Sequence, residues 1–557
     1  MTQDREAAPR SAVPERTADL ILYGGTVLTL DAMSRRAEAV AIRQGKVQAI
    51  GSTREMLQLA GQQTHLLDLQ GGTAVPGFIE THSHPMLYGH RRRSCVDAGT
   101  PPNQTIGEIV ERIAEWAAST PKGEWIHAEG YDDTLLRDRR HPTRWDLDRA
   151  TPHHPVYLTH ISGHFSVANS MALRIAGLTR ESAEPHGGRL YRDASGELNG
   201  VLAEAAAQFL VSHHIPALSV HELVEDLAAA SSEYLAAGVT SAHDLGIGFI
   251  GGATALQAYQ RAIDQHRFLP RCYGFLAEPI LTEFGGDGVP SPSRLATAER
   301  ERLHLGGIKL WADGSIQGLT GALSEPYECN PETCGVEIFD RTRLTSRVAE
   351  MRAAGWQVAI HGNGDAAIGT ILDAYAANGA GRADADPRYR IEHCQMARED
   401  QLERMGALGI YPSFFVKHVY YWGDRHRDIF IGPQRARRIS PLCSAQRIGL
   451  RFALHSDCPV TPIPPLEGMW SAVNRITRNG ELLGPEQRIG AERALRAYTA
   501  DAAYLSFEEG AKGTLEPGKL GDVTVLSGDP TRVDPAALNQ LSVEATIIGG
   551  EIAWQRS

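Results

Sequence analysis

The stretch Val75-Pro-Gly-Phe-Ile-Glu-Thr-His-Ser-His-Pro85 is an apolar run that ends in two histidines one residue apart. On a β-strand, residues i and i+2 project to the same side, so His82 and His84 offer both imidazoles to one point, as two ligands of a metal ion at a strand end do. In a chain with 22 histidines such a pair carries little weight alone. Its weight depends on what the rest of the chain supplies.

Four further apolar runs end in ligand-type residues: Gly307-Ile-Lys-Leu-Trp-Ala-Asp-Gly314, Val358-Ala-Ile-His-Gly-Asn-Gly-Asp365, Tyr389-Arg-Ile-Glu-His-Cys394 and Leu450-Arg-Phe-Ala-Leu-His-Ser-Asp457. In this order of HxH, Lys, His, His and Asp the chain resembles the amidohydrolase superfamily, and more closely the branch typified by N-substituted formamide deformylases and YtcJ-like proteins. Carried over residue by residue, the resemblance implies metal ligands at His82, His84, Lys309, His361, His393 and Asp457. One departure is Gly362-Asn363 after His361, where relatives often carry a different small or apolar pair.

An ammonium with an ordinary pKa of about 10.4 has no lone pair for a metal and is costly to bury unpaired. Carboxylation of the Lys309 amine creates an anionic carbamate that bridges two cations; the alternative is an ordinary strand lysine that reaches solvent or pairs with Asp313. The implied cofactor is one or two divalent cations. Imidazole and carboxylate donors favour zinc, and manganese, iron, cobalt or nickel suit the same set. Such a pair of ions generates a bridging hydroxide at neutral pH, with Asp457 as general base and then general acid. The competing role for Asp457 is a helix N-cap before Pro459.

The chain ends are β-rich. Residues 19–30 and 39–50 read as strands, with Gln44-Gly45 between two alternating runs as hairpin chemistry. Residues 521–526 and 544–554 have the same texture. Both ends therefore join in one small β-sandwich, expected over 18–74 and 506–557, after a disordered tail over 1–17. Between them strands alternate with amphipathic helices, and eight candidate strands at 75–82, 238–243, 270–276, 307–313, 356–361, 388–393, 409–415 and 450–456 predict a (β/α)8 barrel over 75–505. Expected helices include Leu344 to Ala354, Ala366 to Ala377, Asp400 to Leu408 and Ala491 to Leu505. A block over 91–231, far longer than a βα connection, follows barrel strand 1. Its runs Ser162 to Leu173 and Ala194 to Glu204 resemble signatures of the formamide deformylase branch.

Folded over the barrel mouth, this block shapes a pocket in which His164 is the first candidate to touch substrate. Trp311, Phe415 and Tyr421, among aromatics near the ends of strands 4 and 7, suggest a substrate with an apolar or aromatic group. His243-Asp244, Asn363, Asp365 and His455 are candidates to orient ligands, though each also suits an ordinary core. Glu392 is expected on the opposite face of its strand from His393, in a buried pair with a cation such as Arg390.

A formal net charge of −12 gives no reason to expect nucleic acid or an anionic membrane as partner. No segment reaches the apolar length of a membrane span. Seven scattered cysteines without a CxxC pair suit a reducing compartment, in keeping with an expected cytoplasmic location; a homo-oligomer, a dimer, is a separate expectation. Cys394 and Cys458 each follow a proposed ligand, as small packing residues or as thiol ligands. The favoured activity is metal-dependent hydrolysis of a non-peptide C–N bond in an amide or N-substituted formamide. An ester, lactone or carbamate at the same site is the alternative within enzymes, and a non-catalytic barrel scaffold the alternative outside them.

Overall fold

Alternation builds the terminal sheets. In the strands Leu20–Tyr23 and Ala39–Arg43, Leu20, Leu22, Val40 and Ile42 enter one core while Ile21, Ala39 and Ala41 enter another, as the two-residue period of a strand requires. The computed structural model describes residues 17–185, 187–284, 288–295 and 302–557, and the tail expected over 1–17 lies, but for Thr17, outside the described residues. Gln44 (φ 48°) and Gly45 (φ 75°) both take the left-handed conformation and close the hairpin between residues 39–43 and Lys46–Gly51, the two-residue geometry that matches strand twist.

Two sheets pack over this core. One has four strands, and the other runs in the order Glu551–Gln555, Val543–Ile548, Val523–Leu526, Thr73–Pro76, Thr26–Leu28, Arg36–Ala37. The chain ends meet where Val75 lies opposite Thr524 in an antiparallel pair.

Eight parallel strands form the barrel: β1 (Phe78–Ser83), β2 (Val239–Ile247), β3 (Arg271–Ala277), β4 (Leu303–Trp311), β5 (Gln357–Gly362), β6 (Arg390–His393), β7 (Tyr411–Phe414) and β8 (Ala453–Leu454). The seam between β8 and β1 is carried by Asp457 N donating to His82 O at 3.0 Å and His84 N to Cys458 O at 2.8 Å. Ile308 and Leu310 point outward into the large core beneath the helices. Lys309, between them, points inward.

After β1 the chain enters a helix, Pro85–Ser94, and then a mixed six-stranded sheet spanning residues 96–203, before a helix, Val220–Ala236, leads into β2. A helix at Ile106–Ser119 covers this sheet, its buried Ile106, Ile109 and Ile113 spaced for one helical face. Among the described residues, no helix is long and apolar enough to cross a membrane.

Candidate metal centre

His82 is the penultimate residue of β1, and His84 stands just beyond the strand as the residue before the helix Pro85–Ser94. The seam bonds that close the barrel set Asp457 beside them: its Oδ1 lies 3.3 Å from His82 Nε2 and 3.3 Å from His84 Nε2. Donors bound tetrahedrally at about 2.0–2.1 Å stand about 3.3–3.4 Å apart, so this spacing fits two nitrogens and an oxygen around one divalent ion. Asp457 starts no helix: the next begins at Pro465. Its φ of 53°, like the 67° of His393, is left-handed backbone that few non-glycine residues adopt.

Three of the four imidazoles have one nitrogen hydrogen-bonded elsewhere, and the fourth, His84, faces an acid at ion-pair distance without a hydrogen bond. His82 Nδ1–H donates to Glu392 Oε2 at 2.8 Å, His84 Nδ1 lies 3.6 Å from Asp244 Oδ1, and His361 Nε2–H donates to the Gly314 carbonyl at 3.0 Å. His393 Nδ1 is 3.2 Å from His455 Nε2, whose Nδ1 is 2.8 Å from Ser413 Oγ, itself 2.9 Å from Thr81 Oγ1. One proton order satisfies this chain: His393 donates to His455, His455 to Ser413, Ser413 to Thr81, and Thr81 to the Leu454 carbonyl at 3.1 Å. It leaves Nε2 of His393 with a free lone pair. Partners of this kind fix tautomer and ring orientation at metal sites.

Lys309 is 1% exposed and lies among these groups. Burial first, opposed by the anionic Glu392 and Asp457, pushes its amine down to about 8. Burial and then the charge of Lys309 hold His82 and His361 well below the usual imidazole range, and burial and His361 do the same for His393. Neutral imidazoles are the form that binds a cation. Asp313, the alternative partner for Lys309, instead accepts from the backbone N–H groups of Ala322, Asn363 and Gly364 at 2.8–3.0 Å.

The other expected residues divide. His164 packs where a β-carbon on Gly314 would lie 3.1 Å from its Cε1, and its Nδ1 is 3.0 Å from Glu204 Oε2. One signature run thus pairs with the other. The Trp311 ring lies 5.2 Å from that of Phe249, tilted by 43°, and the Phe249 ring is 5.0 Å from His84; Phe415 sits 5.8 Å from His393. Tyr421 faces a different space, a cavity of about 740 Å³ between the inserted sheet and the barrel loops, which none of the six candidate ligands lines. Asn363 donates to Gly314 O at 2.9 Å, and Asp365 is taken by Ser324 and Arg398. Cys394 and Cys458 are buried free thiols.

Two features differ from expectation or were absent from it. Glu392 pairs with Arg390 as expected, at 2.8 and 3.1 Å, yet it shares the barrel interior with His393 because the left-handed turn at His393 breaks strand alternation. Glu80, two residues before His82 on the same face, accepts from His82 N at 3.2 Å and Ser456 N at 3.1 Å. Burial pushes its carboxyl up to about 7. The period-two spacing from His82 was the one signal for it.

A family model described as amidohydrolase family matches residues 65–553. The chain belongs to the amidohydrolase family. Among relatives of this amidohydrolase, the N-substituted formamide deformylase of Arthrobacter pascens is 30% identical over 551 residues, 97% of this chain and 99% of that protein. YtcJ of Bacillus subtilis is 29% identical over 96% of this chain and 99% of its own length. The crystal structure of a metal-dependent hydrolase from Pyrococcus horikoshii aligns with a TM-score of 0.74 at 24% identity, covering 93% of this chain and 99% of that one.

Proposed function

We propose that this amidohydrolase cleaves a carbon–nitrogen bond other than a peptide bond, in an amide or N-substituted formamide that carries an apolar or aromatic group. The observation that carries the reading is the placement of Asp457 Oδ1 3.3 Å from Nε2 of both His82 and His84 at the mouth of the barrel. The residues to hold metal are these three with His361, His393 and Lys309, and zinc is the ion we propose. A divalent cation there supplies Lewis acidity and a water activated near neutral pH.

The chain's own groups supply the rest. The Asp457 carboxylate takes a proton from the attacking water and returns it to the departing nitrogen. The neutral Lys309 amine would add to carbon dioxide, forming an N–C bond and releasing one proton, and the resulting carbamate would give the cation an anionic oxygen ligand. Trp311 and Phe249 offer an apolar wall beside His84, and the His164–Glu204 pair a polar one near Gly314. The formamide class is supported by the name of the Arthrobacter relative.

A substrate panel tests the proposal: zinc-loaded protein is offered aryl-substituted formamides, larger amides, esters and lactones. Highest kcat/KM on formamides or amides is the expected result, and turnover confined to esters or lactones overturns the C–N assignment. Asp457→Asn lowers kcat by about 10²-fold or more if the carboxylate moves the proton. Lys309→Ala loses at least one metal equivalent by plasma mass spectrometry; equal metal content in both proteins removes the bridging role.

A further inference from the structure

We propose that His90, Cys95 and His127 form a second metal site, distinct from the barrel centre, that takes zinc or a similar thiolate-seeking cation and pins the inserted sheet to the barrel. His90 lies on the helix Pro85–Ser94, and Cys95 is the residue that ends it. His127 lies on the strand Ile126–Tyr131 of the inserted sheet. That strand pairs in parallel with the short strand after Cys95, with Ala128 opposite Val96, so the register places His127 level with Cys95.

The three donor atoms lie within 4.8 Å of one another, and the two imidazole rings are 6.1 Å apart at 81°. Zinc at about 2.0–2.1 Å from nitrogen and 2.3 Å from sulfur separates tetrahedral donors by about 3.3–3.6 Å, so binding needs the cluster to close by no more than about 1.5 Å.

Two further observations point to a ligand. His90 Nδ1 is 3.2 Å from Asp226 Oδ2, on the helix Val220–Ala236. This carboxylate–imidazole pairing leaves Nε2 available to a cation, the arrangement that orients metal-bound histidines. The neighbouring acids are already matched, Glu129 by Arg91 and Asp226 by Arg93. The cluster therefore presents two imidazoles and a thiol rather than surplus carboxylate. When Sγ binds a cation the S–H proton leaves to solvent. Cys95 and Glu129 both line the 740 Å³ cavity, which gives an ion its way in. A two-nitrogen, one-sulfur set selects zinc, cobalt or cuprous copper over magnesium or calcium.

Cobalt distinguishes this site from the barrel centre, whose proposed ligands are nitrogen and oxygen. The metal-free protein is reconstituted with Co2+ and its near-ultraviolet absorption is recorded. A thiolate-to-cobalt charge-transfer band is expected in wild type and in His82→Asn/His84→Asn. It is expected to vanish in Cys95→Ser together with one equivalent of bound metal. No band in wild type overturns the proposal. So does a band of full intensity in Cys95→Ser, which assigns the thiolate to Cys394 or Cys458 beside the barrel centre. If Cys95→Ser does not fold, His127→Gln takes its place, with loss of the band expected and its retention overturning the site.

Discussion

Glu392 is the residue through which the barrel interior acts on the centre. It is fully buried, held at 2.8 and 3.1 Å by Arg390, and its Oε2 takes the Nδ1 proton of His82. Arg390 in turn donates to the Thr81 carbonyl at 2.7 Å and lies 3.1 Å from His243 Nδ1. Removing the charge in Glu392→Gln loosens the tautomer of His82 and is expected to weaken metal binding by about 10–100-fold, measured by competition with a chelator; unchanged affinity would remove Glu392 from the centre. At Lys309 the sign follows from burial: with the amine pushed down to about 8, its neutral fraction grows as pH rises toward that value. Metal reconstitution is therefore expected to be fuller above about pH 8 than about two units below it, and to require bicarbonate. Identical uptake in carbon-dioxide-free buffer argues against a carbamate. His82 and His84 were legible because the period of a strand is fixed. The contact of Glu392 with His82 was not, because nothing in His393-Cys394 announces a left-handed turn.

At the scale of the element, the eight apolar runs announced the eight strands, and their ends drifted for local reasons. β8 was expected over 450–456 and spans only Ala453–Leu454, because Ser456 N leaves the ladder for the Glu80 carboxylate at 3.1 Å. One expected helix, Ala491 to Leu505, is two, Ala491–Ala497 and Ala500–Leu505. The break frees the Tyr498 carbonyl to accept from Ile79 N of β1 at 2.7 Å, a demand from a strand some 400 residues away that no local propensity reports. The partners of the site were hidden in the same way: Asp244 reaches His84 from β2, beyond the whole inserted sheet. Glu80→Leu tests the seam. It leaves the N–H groups of His82 and Ser456 buried and unpaired, at about 1–3 kcal/mol each, and urea unfolding is expected to show that loss. A change under about 0.5 kcal/mol means that the seam does not depend on Glu80.

Across the whole molecule, the barrel and the terminal sheets share buried contacts. Arg271 on β3 meets Asp522 in a two-pronged pair at 2.8 and 3.1 Å, and the same carboxylate accepts from Gly549 N at 2.8 Å. Breaking such a pair from one side costs about 3–5 kcal/mol because the other charge stays buried. Asp522→Ala is expected to lower the midpoint of unfolding accordingly, and full stability would show that the two parts are held together elsewhere.

The inserted sheet hangs from the barrel by two adjacent helices. The chain leaves along Pro85–Ser94, which starts immediately after His84, and returns along Val220–Ala236. The two helices pack together, with the Gly89 backbone too close to Asp226 for any β-carbon. Exit and entry thus form one socket on one side of the barrel. A lineage that recombined or redesigned the segment between them would exchange the His164–Glu204 pair near Gly314 while leaving the barrel that carries His82, Lys309, His361, His393 and Asp457 as it is, so the inserted sheet is a single exchangeable cassette.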